Sequence, residues 1–317
     1  MTSNALALAI GEPRTQSWFE AFRRMAPQRD IRLWPDGIGD AADVAYVCHW
    51  STPRKLMREF PNLKVMFSAA AGVDYLLGDP DLPKVPLVRT VHPDLSMRMT
   101  EYVVLHVLMR HRKQQIYAAQ QRDKVWQTHE QAAASEVTVG IMGLGAIGAE
   151  AAKVLARIGF KVGGWSRTPK QIVGVETFHG PAGLDAFLNR TEILVSLLPL
   201  TPETRGIFNL TLFRKLKRDG AAGGAFFVNA ARGRQQVDAD ILTALDEGTL
   251  AGATLDVFPM EPLAPDSPFW THPGVTITPH NAGDVGRDFL VARVLEQIDA
   301  FERGEPLQDV VDRARGY

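Results

Sequence analysis

The chain has 317 residues, enough for two domains of ordinary size and too many for one comfortable core. Its 45% hydrophobic content can fill those cores, while Lys+Arg 35 against Asp+Glu 36 leaves a formal charge of -1. That balance argues against a nucleic-acid or membrane-surface footprint over the whole molecule. Cys48 is the single cysteine, so no intrachain disulfide can form. The N-terminus lacks a basic leader with an apolar core, and no apolar run reaches the ~18 residues of a membrane span, so the expectation is a soluble, cytoplasmic protein.

In the first third, residues 5–10, 44–47 and 65–68 read as strands. Each is followed by turn residues or by a helix-like stretch such as 17–25 or 53–59, an alternation that favours a parallel α/β layer. Residues 97–120, free of Pro and Gly, read as one long connecting helix carrying Tyr102, Leu105, Leu108 and Met109 at helical spacing. From residue 137 the pattern restarts, with strands at 137–142, 161–165, 193–198, 226–229, 253–257 and 275–278 and a helix at 146–158. Six strands with crossovers is the count of a dinucleotide-binding sheet. A last helix at 285–303 could return to the first domain and make that domain discontinuous.

Gly143, Gly145 and Gly148 form a G-x-G-x-x-G element between a strand and a helix. A lone match is weak, but this context suits a pyrophosphate loop. Gly143 would permit the turn, Gly145 the approach of phosphate and Gly148 the close packing of helix on strand, with Ala146 and Ile147 opening the helix whose N-terminus favours anions. At the end of the next strand, where an acidic residue would read the ribose of NAD, stand Ser166, Arg167, Thr168 and Lys170. A guanidinium with hydroxyls and a second cation suits a 2′-phosphate, which favours NADPH over NADH.

Three further residues follow strand ends. Arg232 lies in Asn229-Ala230-Ala231-Arg232-Gly233, Glu261 follows Leu255-Asp256-Val257-Phe258, and His280 closes Thr278-Pro279-His280. A guanidinium can clamp the carboxylate of a 2-oxo acid. A protonated imidazole can neutralise the carbonyl oxygen as hydride arrives, and a carboxylate behind the ring keeps it protonated and oriented. The other histidines, His49, His92, His106, His111, His129, His179 and His272, read as ordinary structural residues, and no metal site is expected.

From about Ala45 onward the chain resembles the D-2-isomer-specific 2-hydroxyacid dehydrogenases, most closely their glyoxylate/hydroxypyruvate reductase branch. The segments above carry the resemblance, together with Ala70-Ala71-Gly72-Val73-Asp74, Leu198-Pro199-Leu200-Thr201-Pro202-Glu203-Thr204 and the closing run from Val311 to Tyr317. It implies His280 as acid/base, Glu261 as its partner and Arg232 as substrate clamp, with the N–H groups of Ala71 and Gly72 on the substrate carboxylate. It further implies that Leu198, Pro199, Thr204, Ala230, Asp256 and Gly283 line the cofactor. Trp50 and Tyr75 are candidates for shaping the side-chain pocket, the alternative being ordinary packed aromatics.

Two Rossmann-like α/β domains with parallel sheets are therefore expected. Residues 1–97 and 281–317 would form a discontinuous catalytic domain, residues 98–280 the dinucleotide-binding domain, with the active site in the cleft between them. The activity implied is NADPH-dependent reduction of glyoxylate, hydroxypyruvate or a similar 2-oxo acid by a homodimer assembled through the 97–120 helix. Rival readings are a formate or phosphite dehydrogenase on the same fold, although formate oxidation would not call for the Glu–His pair, and a dinucleotide-sensing binding module of the corepressor type. Two features depart from the family pattern: a longer glycine-rich turn at 217–225, and Asp284 where small or hydroxylic residues are commoner.

Overall fold

The first strand, β1 (Ala5–Ile10), is apolar throughout and buried at every position, as a central parallel strand covered on both faces must be. In the computed structural model, which describes residues 4–11, 14–50, 54–70, 72–89 and 93–314, the chain divides into two compact units. One comprises residues 1–92 and 285–317, the other 93–284.

The first unit is built on β1, β2 (Ile31–Leu33), β3 (Val44–Trp50), β4 (Val65–Ser68) and β5 (Leu87–Arg89). All pairings are parallel, in the order β2-β1-β3-β4-β5. β2 and β5 are three-residue edge strands, too short to show a period in the sequence. Helix Thr15–Met25 buries Trp18, Ala21 and Phe22. Helix Arg287–Glu302 buries Leu290, Val291, Val294, Leu295 and Ile298. The guanidinium of Arg29 ties the start of the unit to this last helix through Asp299 (2.7 Å) and Glu302 (2.9 Å). The segment expected as helix at 53–59 is a 3-10 turn, Arg54–Arg58, and Pro53 lies outside the described residues.

The second unit carries seven parallel strands: β6 (Thr138–Met142), β7 (Lys161–Ser166), β8 (Glu176–His179), β9 (Ile193–Ser196), β10 (Phe226–Asn229), β11 (Gly252–Leu255) and β12 (Val275–Ile277). Their order is β12-β11-β10-β9-β6-β7-β8. Counted from β6, this is the 3-2-1-4-5-6 order of a dinucleotide-binding sheet with one strand added, and the order reverses between β6 and β9. The strand absent from the sequence reading is β8, a part-exposed edge whose residues show no buried face. Phe187, Phe208, Phe213 and Phe227 are fully buried in the core of this unit. Each contributes about 1.5–3 kcal/mol by leaving water.

The single helix expected over 97–120 is two helices, Pro93–His111 and Gln114–Asp123. Lys113 takes a left-handed conformation (φ 56°) between them, although neither Gly nor Pro marks the break. Tertiary contacts hold the corner. Arg110 donates to the Ala251 carbonyl (2.9 Å) and lies 3.3 Å over the Phe226 ring, while Gln131 donates to the His111 carbonyl (2.8 Å) that the broken helix leaves open.

The glycine-rich turn at 217–225 closes over Glu192, which is fully buried. Its carboxylate accepts from the N–H groups of Ala222 (2.7 Å) and Thr138 (3.3 Å). A Cβ on Gly220 would fall 2.2 Å from the Glu192 carboxyl carbon, so this turn needs glycine there.

Candidate active site

Parallel strands deliver their loops to one edge, and in the second unit the loops after β6, β7, β9, β10, β11 and β12 carry the residues of interest. After β6, Gly143 adopts φ +106°, and a Cβ there would meet the Leu197 carbonyl oxygen at 2.6 Å. Gly145 caps helix Ala146–Ile158 with nothing within 4 Å of its Cβ position, whereas at Gly148 a Cβ would stand 1.8 Å from the Gly143 oxygen. Turn, open approach and close packing are thus divided among the three glycines. Ala146 and Ile147 form the first helical turn, whose N–H groups lack partners within the helix and favour an anion.

At the end of β7, Ser166 is buried and donates to the Thr168 carbonyl (2.8 Å), fixing a turn that presents Arg167, Thr168 and Lys170 to solvent. The loop after β9 lies within electrostatic reach of this turn. Glu203 is held below the usual carboxylate range first by its hydrogen bond from Thr201, then by its own backbone N–H and the positive charge of Arg167. Thr204 braces the same loop by donating to the Pro199 carbonyl (2.7 Å) and accepting from the Thr201 N–H (2.8 Å). The buried Gln235 side chain donates to the carbonyls of Leu198 (3.0 Å) and Pro199 (2.9 Å).

β10 ends in Asn229, a fully buried amide that shapes the following turn. Its oxygen accepts from the Ala231 N–H (3.1 Å), and its nitrogen donates to Gln236 (2.7 Å) and to the Arg232 carbonyl (3.3 Å). Ala230 is buried inside this turn and Arg232 half-buried at its end. The next residue can only be glycine, since a Cβ on Gly233 would overlap the Phe258 backbone at 1.9 Å. That close approach brings the Arg232 turn against the loop that carries Glu261.

Glu261 faces two donors. Its Oε1 accepts from the Phe258 N–H (2.9 Å) and its Oε2 stands 2.6 Å from Nδ1 of His280. Burial opposes ionisation of Glu261. The bonds from His280 and Phe258, and the charges of His280 and Arg232, outweigh it and hold the carboxyl below its ordinary range. An ionised carboxylate only accepts, so the proton between the pair sits on Nδ1. The His280 side chain remains 47% exposed, leaving the rest of the ring accessible. Its backbone is left-handed (φ 54°), a conformation costing a non-glycine residue about 1–3 kcal/mol that its surroundings must hold.

Asp256, at the end of β11, supplies much of that hold. Its carbonyl accepts the His280 N–H (2.8 Å), and its carboxylate accepts from the Thr278 hydroxyl (2.6 Å) and from the N–H groups of Asn281 (3.0 Å) and Ala282 (3.1 Å). Gly283 follows, where a Cβ would meet Leu95 at 2.7 Å and Met99 at 2.9 Å on helix Pro93–His111. Asp284 is exposed. No sequence pattern marks the roles of Thr278, Gln235 or Asn229, although Thr278 and Asn229 stand inside the motifs that carry His280 and Arg232.

In the first unit, Trp50 ends β3, with the Arg14 guanidinium 4.3 Å over its ring and Trp18 edge-on at 5.9 Å. Gly72 follows β4, and Ala71 lies outside the described residues. The Tyr75 hydroxyl bonds to Nδ1 of the buried His49 at 2.7 Å, as a packed aromatic does. Among the described residues there is no cluster of His, Cys, Asp and Glu able to hold a metal ion, and no helix long and apolar enough to cross a membrane.

Residues 104–282 match the family model described as D-isomer specific 2-hydroxyacid dehydrogenase, NAD binding domain. The chain is 41% identical to glyoxylate/hydroxypyruvate reductase A of Yersinia enterocolitica, over 95% of this chain and 96% of that protein. Among solved structures it is similar to the NADPH-dependent glyoxylate/hydroxypyruvate reductase of Sinorhizobium meliloti in complex with NADP and sulfate. There the TM-score is 0.93 and the identity 45%, over 99% of this chain and 100% of that one. A D-isomer specific 2-hydroxyacid dehydrogenase of Xanthobacter autotrophicus Py2 in complex with NADPH and MES gives a TM-score of 0.91 at 41% identity, covering 99% and 100%.

Proposed function

Because the chain belongs to the D-isomer specific 2-hydroxyacid dehydrogenases, we propose that it reduces a short 2-oxo acid, such as glyoxylate or hydroxypyruvate, with NADPH. The observation that carries this reading is the 2.6 Å pair of His280 with Glu261, beside Arg232 at the strand ends of a dinucleotide-binding sheet.

When bound, NADPH supplies the hydride; the protein's part is to bind, orient and protonate. The glycines at 143, 145 and 148 with Ala146 and Ile147 receive the pyrophosphate. Ser166, Arg167, Thr168 and Lys170 receive the 2′-phosphate, and Leu198, Pro199, Thr204, Ala230, Asp256 and Gly283 line the remainder. Support for the 2′-phosphate assignment comes from the exposed cations at the end of β7 and from relatives solved with NADP or NADPH. Arg232 clamps the substrate carboxylate with its planar fork.

His280 donates its Nε2 proton to the carbonyl oxygen as that oxygen gains charge, so hydride plus proton convert C=O into CH–OH. Glu261 stabilises the imidazolium before donation and keeps the ring aimed. The test is loss of NADPH absorbance on adding glyoxylate, hydroxypyruvate or pyruvate in parallel. A rate no greater than the no-substrate control with every acid overturns the reading.

The protein is further proposed to be a homodimer joined through the helices at 93–123. Met97, Leu105 and Ile116 there, with Val125 and Trp126 beyond, are large apolar side chains exposed on one chain, Trp126 fully so. Sedimentation showing only monomer at micromolar concentration would refute it.

A further inference from the structure

We propose that Tyr102 and Thr278 are positioning residues for proton donation by His280, acting through Asp256. The proposal rests on the assignment of His280 as proton donor.

The chain of bonds has a fixed direction. The Asp256 carboxylate lies 2.6 Å from the Thr278 hydroxyl and can only accept, so Thr278 spends its one proton there. The Tyr102 hydroxyl, 2.7 Å from the same Thr278 oxygen, must then be the donor in that contact. Burial, and secondarily the charge of Asp256, push the Tyr102 phenol up, so it keeps its proton at any working pH. The order is Tyr102 to Thr278 to the Asp256 carboxylate, which passes the constraint on through the N–H groups of Asn281 and Ala282, the two residues that follow His280.

The loop needs such an anchor. His280 is left-handed and half-exposed, and residues 281–284 belong to no helix or strand. The Asp256 carboxylate that ties Asn281 and Ala282 is better fixed about its own side chain because the Thr278 hydroxyl holds one of its oxygens. That hydroxyl could rotate in turn without the phenol. Tyr102 is itself fixed: it is 8% exposed on helix Pro93–His111, with its ring against that of His106 at 4.2 Å. A side chain 176 residues from Thr278 in sequence thereby sets the direction in which the proton donor points.

Tyr102→Phe, Thr278→Ala, Thr278→Ser and His280→Ala separate the possibilities. The readouts are the single-turnover rate of glyoxylate reduction, its solvent deuterium isotope effect, KM, NADPH affinity and Tm. Tyr102→Phe and Thr278→Ala are expected to slow the single-turnover rate about 10-fold and raise its solvent isotope effect, because proton donation becomes more limiting. KM and NADPH affinity should stay within about 2-fold, and Thr278→Ser should restore both rate and isotope effect. A lowered Tm with rate and isotope effect unchanged would make the chain merely structural and overturn the proposal. If His280→Ala itself keeps the wild-type rate, the functional reading fails first.

Discussion

Replacing Glu261 by Gln preserves the shape of the side chain and removes one acceptor, a loss that can be worked out from the two contacts it makes. Both carboxylate oxygens are used, one by the Phe258 N–H at 2.9 Å and one by Nδ1 of His280 at 2.6 Å. A glutamine has one carbonyl oxygen, so its NH₂ must face one of these groups. If the oxygen stays with Phe258, the amide donates to Nδ1, and the ring can no longer carry a proton on that side. Reduction would then proceed from a neutral imidazole. A hydrogen bond to a charged group is worth about 1.5–3 kcal/mol. With side chains 47% and 35% exposed, solvent screening places this pair near the lower end. The expected fall in kcat/KM for reduction is therefore about 10- to 30-fold, at near-normal NADPH affinity.

The pH dependence follows from the same contacts. The folded pKa of Glu261 is depressed, so the ionised carboxylate is fully present above the ordinary carboxylate range and is lost only as pH falls through the lower folded value. The wild-type enzyme should thus show no loss of reduction from this group on mild acidification. In the variant the amide does not titrate, so this acid-side dependence should disappear. Stopped or steady-state NADPH absorbance across a pH series reads both effects. A Glu261→Gln enzyme with the wild-type rate across the pH series would refute the reasoning.

Three other outcomes are expected. Arg167→Ala should weaken NADPH by about 10-fold or more while leaving NADH nearly unchanged, since only NADPH carries the 2′-phosphate, and equal losses in binding titrations would place Arg167 elsewhere. Arg232→Lys keeps the charge and loses the planar fork, so KM for glyoxylate should rise and kcat/KM fall steeply; an unchanged KM removes Arg232 from the clamp. Cys48 is fully buried, and burial pushes its thiol up to about 12, so native protein should resist iodoacetamide under conditions that alkylate the unfolded chain; rapid native labelling would contradict its packing.

Much of the second unit was legible because its signals are local. A strand that ends in Gly143 and opens a helix at Ala146 is written in consecutive residues, and Phe226–Asn229 is apolar on both faces as a central strand must be. The strand-end rule also gathers Arg232, Glu261 and His280 on one edge. What escaped depends on contacts distant in sequence. The helix breaks at Lys113 because Arg110 reaches Ala251 and Gln131 reaches His111, contacts that no window of the helix reveals. β8 forms only because the sheet offers an open edge to a polar segment, and β2 and β5 are three residues long. Tyr102 read as one more apolar position on a helix, since its partner Thr278 lies 176 residues on.

The first unit takes residues from both ends of the chain, whereas the second occupies one uninterrupted stretch. Synthesis therefore finishes the strands β1 to β5 long before it delivers helix Arg287–Glu302, whose buried face belongs with them. Until that helix leaves the ribosome, apolar residues of the first sheet remain uncovered and Arg29 waits for Asp299 and Glu302. The second unit can complete its core in that interval. A nascent chain stalled after residue 284 should accordingly protect the second sheet from protease and leave the first open to it, with association between unfinished chains as the hazard of the delay.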